Sequence, residues 1–314
     1  MRKLLKYLGI LLLVIILGIG LLSGWVLFTP LPTHEVKPIS IDLPSDSMSM
    51  ATGQKIVESV CAYCHMGADG KLSGKLFSPE SEGFGERFSS NITSHPTLGI
   101  GRYSDGELAY LLRTGIKRDG QYAGPYMVFP KYSDEDIAAV IAYLRSDAPS
   151  LAPSDAQHGG SYSFLAKALF KAGILKPIPF EARTAPSMSD TLAFGEYLAT
   201  VRYECYGCHS AGFEYNDPLN PEKSKGFFAG GNAVSDPKFN HVISRNITPH
   251  PEQGIGKWTK EQFELAARGG VRPDGRILSD AMPRLTRLDP YELDAIWAYL
   301  QTVPALPTNP VSSH

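Results

Sequence analysis

Cys61-Ala62-Tyr63-Cys64-His65 and Cys205-Tyr206-Gly207-Cys208-His209 are two copies of the pattern C-x-x-C-H, and together they use all four cysteines of the chain. The pattern is the attachment signature of c-type haem. Two thiols one helical turn apart can each add to one vinyl group of the same porphyrin, and the histidine that follows lies under the iron as its proximal ligand. Other readings of paired cysteines fit less well. Zinc sites place their C-x-x-C pairs about 15–20 residues apart, whereas 140 residues separate Cys64 from Cys205. A thioredoxin-like redox pair needs a βαβ surround that the sequence lacks, and two structural disulfides would leave both following histidines unexplained. The sequence therefore predicts two covalently bound haem c groups, each with its iron, at Cys61, Cys64 and His65 and at Cys205, Cys208 and His209.

Downstream of each motif the chain matches itself. Asn91-Ile92-Thr93-Ser94-His95-Pro96 recurs 155 residues later as Asn246-Ile247-Thr248-Pro249-His250-Pro251. At the same offset Gly99-Ile100-Gly101 falls on Gly254-Ile255-Gly256, Arg113 on Arg268, Gly115 on Gly270 and Met127 on Met282. The haem motifs are offset by 144, so the second copy carries 11 extra residues between Ser210 and Arg245. Self-similarity over this length is the mark of one module used twice.

Within each module the pattern is helical. Residues 51 to 65 and 190 to 209 lead into the haem motifs. Capping boxes start the middle helices at Ser104 (with Glu107) and Thr259 (with Gln262). The last helices start at Ser133 and at Asp289, where Pro290 occupies the first helical position. Their apolar stripes are Ile137, Val140, Ile141, Leu144 and Leu293, Ile296, Trp297, Leu300, which read as core. No segment alternates as a strand. Residues 147–187, rich in Pro, Ser and Ala, read as a connector in which Phe164 to Leu175 forms a short helix on the surface or the membrane.

Residues 7 to 28 carry no charge and would span about 33 Å as a helix, enough to cross a bilayer. A cleavable signal peptide would have a shorter apolar core and a small-residue cleavage site. Arg2, Lys3 and Lys6 precede the span, which keeps the N-terminus cytoplasmic and exports the remainder. That agrees with haem attachment, which takes place outside the bacterial cytoplasm. The 314 residues, 43% apolar and 20% charged, are those of a globular protein, and a formal charge of −2 gives no sign of nucleic-acid binding.

The sixth iron position decides what such a haem does. A thioether there gives an electron-transfer centre of raised potential, and an open site invites catalysis. Of seven methionines, Met1, Met48, Met50 and Met188 lie before the haem motifs or in linkers, and Met66 adjoins His65 on the proximal side. Met127 and Met282 remain; they are related by the repeat, each in a Pro-containing loop before the module's last helix. His95 and His250 are the competing pair, and bis-histidine ligation would lower both potentials. His34, His158, His241 and His314 have no repeat partner and read as surface residues.

With these residues the chain resembles the c-type cytochrome subunits of membrane-bound bacterial alcohol, aldehyde and gluconate dehydrogenases. The likeness runs from about Gly53 to Pro304. Asn-Ile-Thr-x-x-Pro followed by Gly-Ile-Gly, the methionine loop, and Ala142-Tyr143-Leu144 with Ala298-Tyr299-Leu300 carry it. The resemblance implies thioether links at all four cysteines, proximal His65 and His209, distal Met127 and Met282, and packing of Gly53 on Tyr143 and Gly195 on Tyr299. Those subunits commonly have three haem modules where this sequence has two, and Asp where it has His95 and His250. The expected fold is all-α: an anchor (1–29), a spacer (30–50), two tandem cytochrome c-type haem domains (51–150 and 188–306) joined by a connector (151–187), and a tail (307–314). The expected function is single-electron transfer at the periplasmic face of the bacterial inner membrane. Redox protein partners would be a dehydrogenase or quinol-oxidising donor and a downstream cytochrome or oxidase. A dihaem peroxidase, a catalytic dihaem oxidoreductase for sulfur compounds and a haem-based sensor are the alternatives; the two enzymes would each need a non-methionine site.

Overall fold

The computed structural model describes residues 2–81 and 83–310, so His314 lies outside the described residues. The chain opens with α1 (Arg2–Phe28), 27 residues without a break and about 40 Å long. Its most apolar stretch has a mean hydropathy of 2.8, and it is the one helix among the described residues long and apolar enough to cross a membrane. Val26 alone of its described residues is buried. The segment that follows is not a loose spacer. The His34 N–H donates to the Gly120 carbonyl (2.8 Å) and the Ile39 N–H to Gly106 (3.3 Å). Ile39, Ile41 and Leu43 pack against the core.

In the first half, α2 (Ser47–Ile56) begins four residues before the expected start at 51, because the Asp46 carboxylate accepts the Met48 and Ser49 N–H groups. A wide π-helical turn, Val57–Cys61, leads into α3 (Ala62–His65). α4 (Asp105–Thr114) has the Ser104–Glu107 capping box and ends at Gly115, whose φ of +76° suits glycine. α5 (Asp134–Leu144) is capped by Ser133. The connector holds α6 (Phe164–Lys171), shorter than the stretch to Leu175 that the sequence suggested. The second half repeats the scheme. α7 (Thr191–Tyr197) runs through a π-helical turn, Leu198–Arg202, and then on to α8 (Cys205–His209). α9 (Lys260–Glu264) continues as a π-helical turn to Gly269, and α10 (Pro290–Leu300) closes the half. Mostly helical is the accurate description. Two antiparallel ribbons, β1 (Leu76–Ser78) with β2 (Arg87–Phe88) and β3 (Ala233–Ser235) with β4 (His241–Ile243), are too short for a period of two to show.

Each half is built on one helix crossing, and the two crossings coincide in detail. A Cβ placed on Gly53 would lie 2.0 Å from the Ala139 carbonyl oxygen and 3.0 Å from Tyr143 Cβ; on Gly195 the values are 2.0 Å to Ala295 and 3.0 Å to Tyr299. Only glycine lets α2 meet α5, and α7 meet α10, backbone to backbone. The inward stripes follow: Ile137, Val140, Ile141 and Leu144 are buried, as are Leu293, Ile296 and Leu300.

The halves meet through a buried network. Arg202 donates through Nε and Nη2 to both Asp136 oxygens (2.8 and 2.7 Å) and through Nη1 to Glu292 (3.1 Å). Tyr197 donates to Asp136 (2.7 Å), and Lys55 to Glu292 (3.0 Å). Asp136 and Glu292 both stand three residues past the N-cap of their half's last helix. Lys55 and Tyr197 both stand two residues past the crossing glycines. The contact is therefore close to two-fold, each first helix bonding the other half's last helix. Burial works against the Arg202 charge, but the Asp136 carboxylate outweighs it and holds the guanidinium above its ordinary range.

Candidate haem-binding sites

Each C-x-x-C-H segment leaves a π-helical turn close to the interface between the halves. Cys61 closes its turn and, with Ile56, Leu112, Phe129, Tyr132, Ile137 and Val140, lines an apolar cavity. Cys64 and His65 follow on α3, and His65 is buried. Cys205, Cys208 and His209 are half-buried on α8, after Glu204 turns the chain through φ +45°. Burial pushes the thiols of Cys61 and Cys205 up to about 12 and that of Cys208 to about 11, and raises Cys64.

Both histidines are oriented in the same way. His65 Nδ1 lies 2.7 Å from the Ser90 carbonyl and His209 Nδ1 2.6 Å from the Arg245 carbonyl. A carbonyl can only accept, so each Nδ1 carries the proton and each Nε2 presents a lone pair. This is how metal-ligating imidazoles are fixed. Burial also lowers the pKa of both rings, which favours the neutral form that can bind iron.

Ser90 and Arg245 escaped the sequence reading, although they directly precede the repeated Asn-Ile-Thr. That motif holds them in place. Asn91 Oδ1 accepts from the Thr93 N–H (3.0 Å) and hydroxyl (2.6 Å) while its amide donates to the Ser154 carbonyl (2.8 Å). Asn246 does the same with Thr248 (2.8 and 2.7 Å) and Leu306 (2.8 Å).

Met127 is half-buried against the core, in a short turn, Pro125–Met127. Phe129, two residues on, lines the same cavity as Cys61, and its N–H is tied to the Leu112 carbonyl (2.7 Å). The Met282 loop hangs from α9's end by the matching bond, Leu285 N–H to Ala267 (2.9 Å). Arg113 and Arg268 both reach the carbonyl just before the last helix's N-cap, that of Tyr132 and of Leu288. His95 and His250 are engaged elsewhere. Each Nδ1 accepts two backbone N–H groups, from Thr97 (3.2 Å) and Leu98 (3.0 Å), and from Glu252 (3.2 Å) and Gln253 (3.1 Å). An Asp could make the same turn, which accounts for the difference from the pattern that the sequence resembles.

The first motif also touches the second half across the interface. Tyr63, inside the first, donates to the carbonyls of Ser235 (3.3 Å) and Ala281 (3.4 Å), the latter next to Met282.

Paired half-buried thiols, a tautomer-fixed imidazole and, at the first site, an apolar wall fit a covalently held haem. Residues 50–148 match the family model for cytochrome c. The chain is 36% identical to the fructose dehydrogenase cytochrome subunit of Gluconobacter japonicus over 285 residues, 86% of this chain and 55% of that one. It is 27% identical to an alcohol dehydrogenase (quinone) cytochrome c subunit of Gluconacetobacter polyoxogenes over 79% of this chain and 54% of that one. A dihaem c-type cytochrome of Cereibacter sphaeroides is 26% identical over 78% of this chain and 82% of its own length. The chain spans about half the length of the dehydrogenase subunits it matches. Residues 50–148 are thus a cytochrome c domain, in a chain related to the cytochrome c subunits of alcohol, fructose and gluconate dehydrogenases and to a dihaem c-type cytochrome.

Proposed function

We propose that the chain is a dihaem cytochrome c that passes single electrons from a dehydrogenase or quinol-oxidising donor to a downstream cytochrome or oxidase. α1 anchors it in the inner membrane with both haem domains, 51–150 and 188–306, on the periplasmic side. The reading is carried by one observation: both C-x-x-C-H histidines have Nδ1 fixed on a backbone carbonyl, at 2.7 and 2.6 Å. Relatives named as cytochrome subunits of dehydrogenases support the donor class.

Each bound haem supplies a one-electron ferric/ferrous couple. The protein's part is to hold and shield it. Cys61, Cys64, Cys205 and Cys208 would tether the porphyrins, and His65, His209, Met127 and Met282 would ligate the irons. The loop bonds at Phe129 and Leu285 hold the two methionine loops in place, and a methionine ligand on each iron would leave no position open to substrate. The Tyr63 bond to the Ala281 carbonyl, beside Met282, joins the two sites and supports direct transfer between the two groups.

Met127→Ala and Met282→Ala test this. Each should remove part of the near-infrared sulfur-to-iron absorption, and the double variant all of it. An unchanged band in both single variants would refute the ligand assignment, and prompt cyanide binding by the unaltered protein would favour the peroxidase alternative.

A further inference from the structure

The connector helix α6 is joined to the base of α1. The Lys171 ammonium donates to the carbonyls of Trp25 (2.6 Å), in the last turn of the apolar helix, and Thr29 (2.8 Å), just past it, and lies 5.1 Å from the Trp25 ring centre. It thereby joins the Thr29 N–H and hydroxyl on the Trp25 carbonyl and adds a donor to the Thr29 carbonyl beyond the helix. The burial of Val26, with Ser23 and Gly24 half-buried beside it in a helix otherwise exposed, marks the end at which α1 meets the rest of the protein. On its other side α6 buries Ala166 and Phe170, the latter against Tyr122 and Tyr162 with ring centres 6.1 and 4.8 Å away.

Having spent one apolar side on the protein, α6 keeps a second one open. Phe164 is 48% exposed, Leu165 54% and, just past the helix, Ile174 66%. Trp25 (47%) and Phe28 (85%) at the end of α1 are bare as well. A bare apolar belt of this kind marks a surface that something covers. Its place says what. Trp25 and Phe28 stand where a spanning helix leaves the hydrocarbon, the level at which aromatic residues settle. α6 is fixed to that level by Lys171, with Lys167 beside it to meet lipid phosphates.

We propose that α6 is an interfacial membrane helix: Phe164, Leu165 and Ile174 insert among the lipids beside α1, giving the protein a second, non-spanning contact with the bilayer. The proposal rests on the reading that α1 spans the membrane. Its consequence is orientation. A single tethering helix leaves a domain free to swivel, whereas two contacts fix it. A Cβ on Gly124 would lie 3.9 Å from Phe170, so α6 backs onto the loop that carries Met127. The docked helix holds that loop and the first haem site next to the membrane plane, where a membrane-embedded redox partner can reach them.

In the haem-loaded protein the native cysteines are consumed as thioethers, so one introduced cysteine can be spin-labelled alone. Leu165→Cys, Ile174→Cys, Leu13→Cys in α1 and Lys238→Cys as a water reference are placed in nanodiscs of phosphatidylethanolamine and phosphatidylglycerol. Collision with oxygen is compared with collision with a water-soluble nickel chelate. Oxygen should prevail at 165, 174 and 13, with the ratio inverted at 238. A lipid-like label at 13 with water-like labels at 165 and 174 would overturn the docking and leave the anchor standing. Water-like labels at all three would overturn the anchor, and the docking with it.

Discussion

Replacing Arg202 by Met keeps most of the side chain's length and removes its charge. Three charge-assisted bonds go: two to Asp136, at 2.8 and 2.7 Å, and one to Glu292, at 3.1 Å. The two acids do not suffer equally. Glu292 retains the Lys55 ammonium at 3.0 Å and the Tyr203 hydroxyl at 3.2 Å. Asp136 retains the Tyr197 hydroxyl at 2.7 Å and, at 2% exposure, has little access to water. Stranding one charge of a buried pair costs about 3–5 kcal/mol, whereas replacing the whole pair by apolar groups is often neutral. Arg202→Met should therefore lose about 3–5 kcal/mol. Adding Asp136→Leu should restore most of that loss, since it removes the stranded charge. The assay is urea unfolding of the haem-loaded protein, followed by far-ultraviolet circular dichroism and by the haem absorption. A loss below about 1 kcal/mol, the size found for exposed pairs, would refute the reasoning. So would a double variant weaker than Arg202→Met alone. Either outcome would mean that the halves do not dock through this network.

Gly53→Ala and Gly195→Ala should each cost about 1–3 kcal/mol or more by overpacking, and nearly the same amount, because both new methyls meet a carbonyl oxygen at 2.0 Å; unequal losses in denaturant melts would mean that the crossings are not equivalent. Asn91→Ala strands the Thr93 N–H and hydroxyl in a buried site and should cost about 1–3 kcal/mol; unchanged stability would show that Asn91 does not hold the loop under His65. Asp69 is held down to about 2 from its ordinary 3.8, first by the Ser73 hydroxyl and then by that of Ser154. Its folded pKa is the lower one, so its contribution is complete above pH 3.8 and fades as the pH falls toward 2. Asp69→Asn should therefore flatten the acid limb of the stability curve in that window, and an unchanged limb would argue against the bonds to Ser73 and Ser154.

Local chemistry made much of the fold legible. The capping boxes at Ser104 and Thr259, the caps at Ser133 and Asp289 and the stripes of α5 and α10 all lie where short-range rules put them. The packing of Gly53 on Tyr143 and of Gly195 on Tyr299 was expected from resemblance, and the structure supplies its cause, a carbonyl in the way of any side chain. The unread parts depend on contacts far apart in sequence. Nothing near Arg202 announces that its partners are Asp136 and Glu292, 66 and 90 residues away. The carbonyls of Ser90 and Arg245 carry no residue signature, because any amino acid has one. The start of α2 was missed for a plainer reason: Asp46 is an ordinary N-cap, but it sits in a Pro- and Ser-rich stretch that reads as linker.

The account turns on two haems held by two equivalent sites. The measurement that tests it most directly is the intact mass of the denatured protein, with thioether-bound haem retained, beside that of Cys205→Ser/Cys208→Ser. The account predicts the polypeptide plus two haems for the first and plus one for the second. A single haem on the unaltered chain, or an unchanged haem count in the variant, would contradict it.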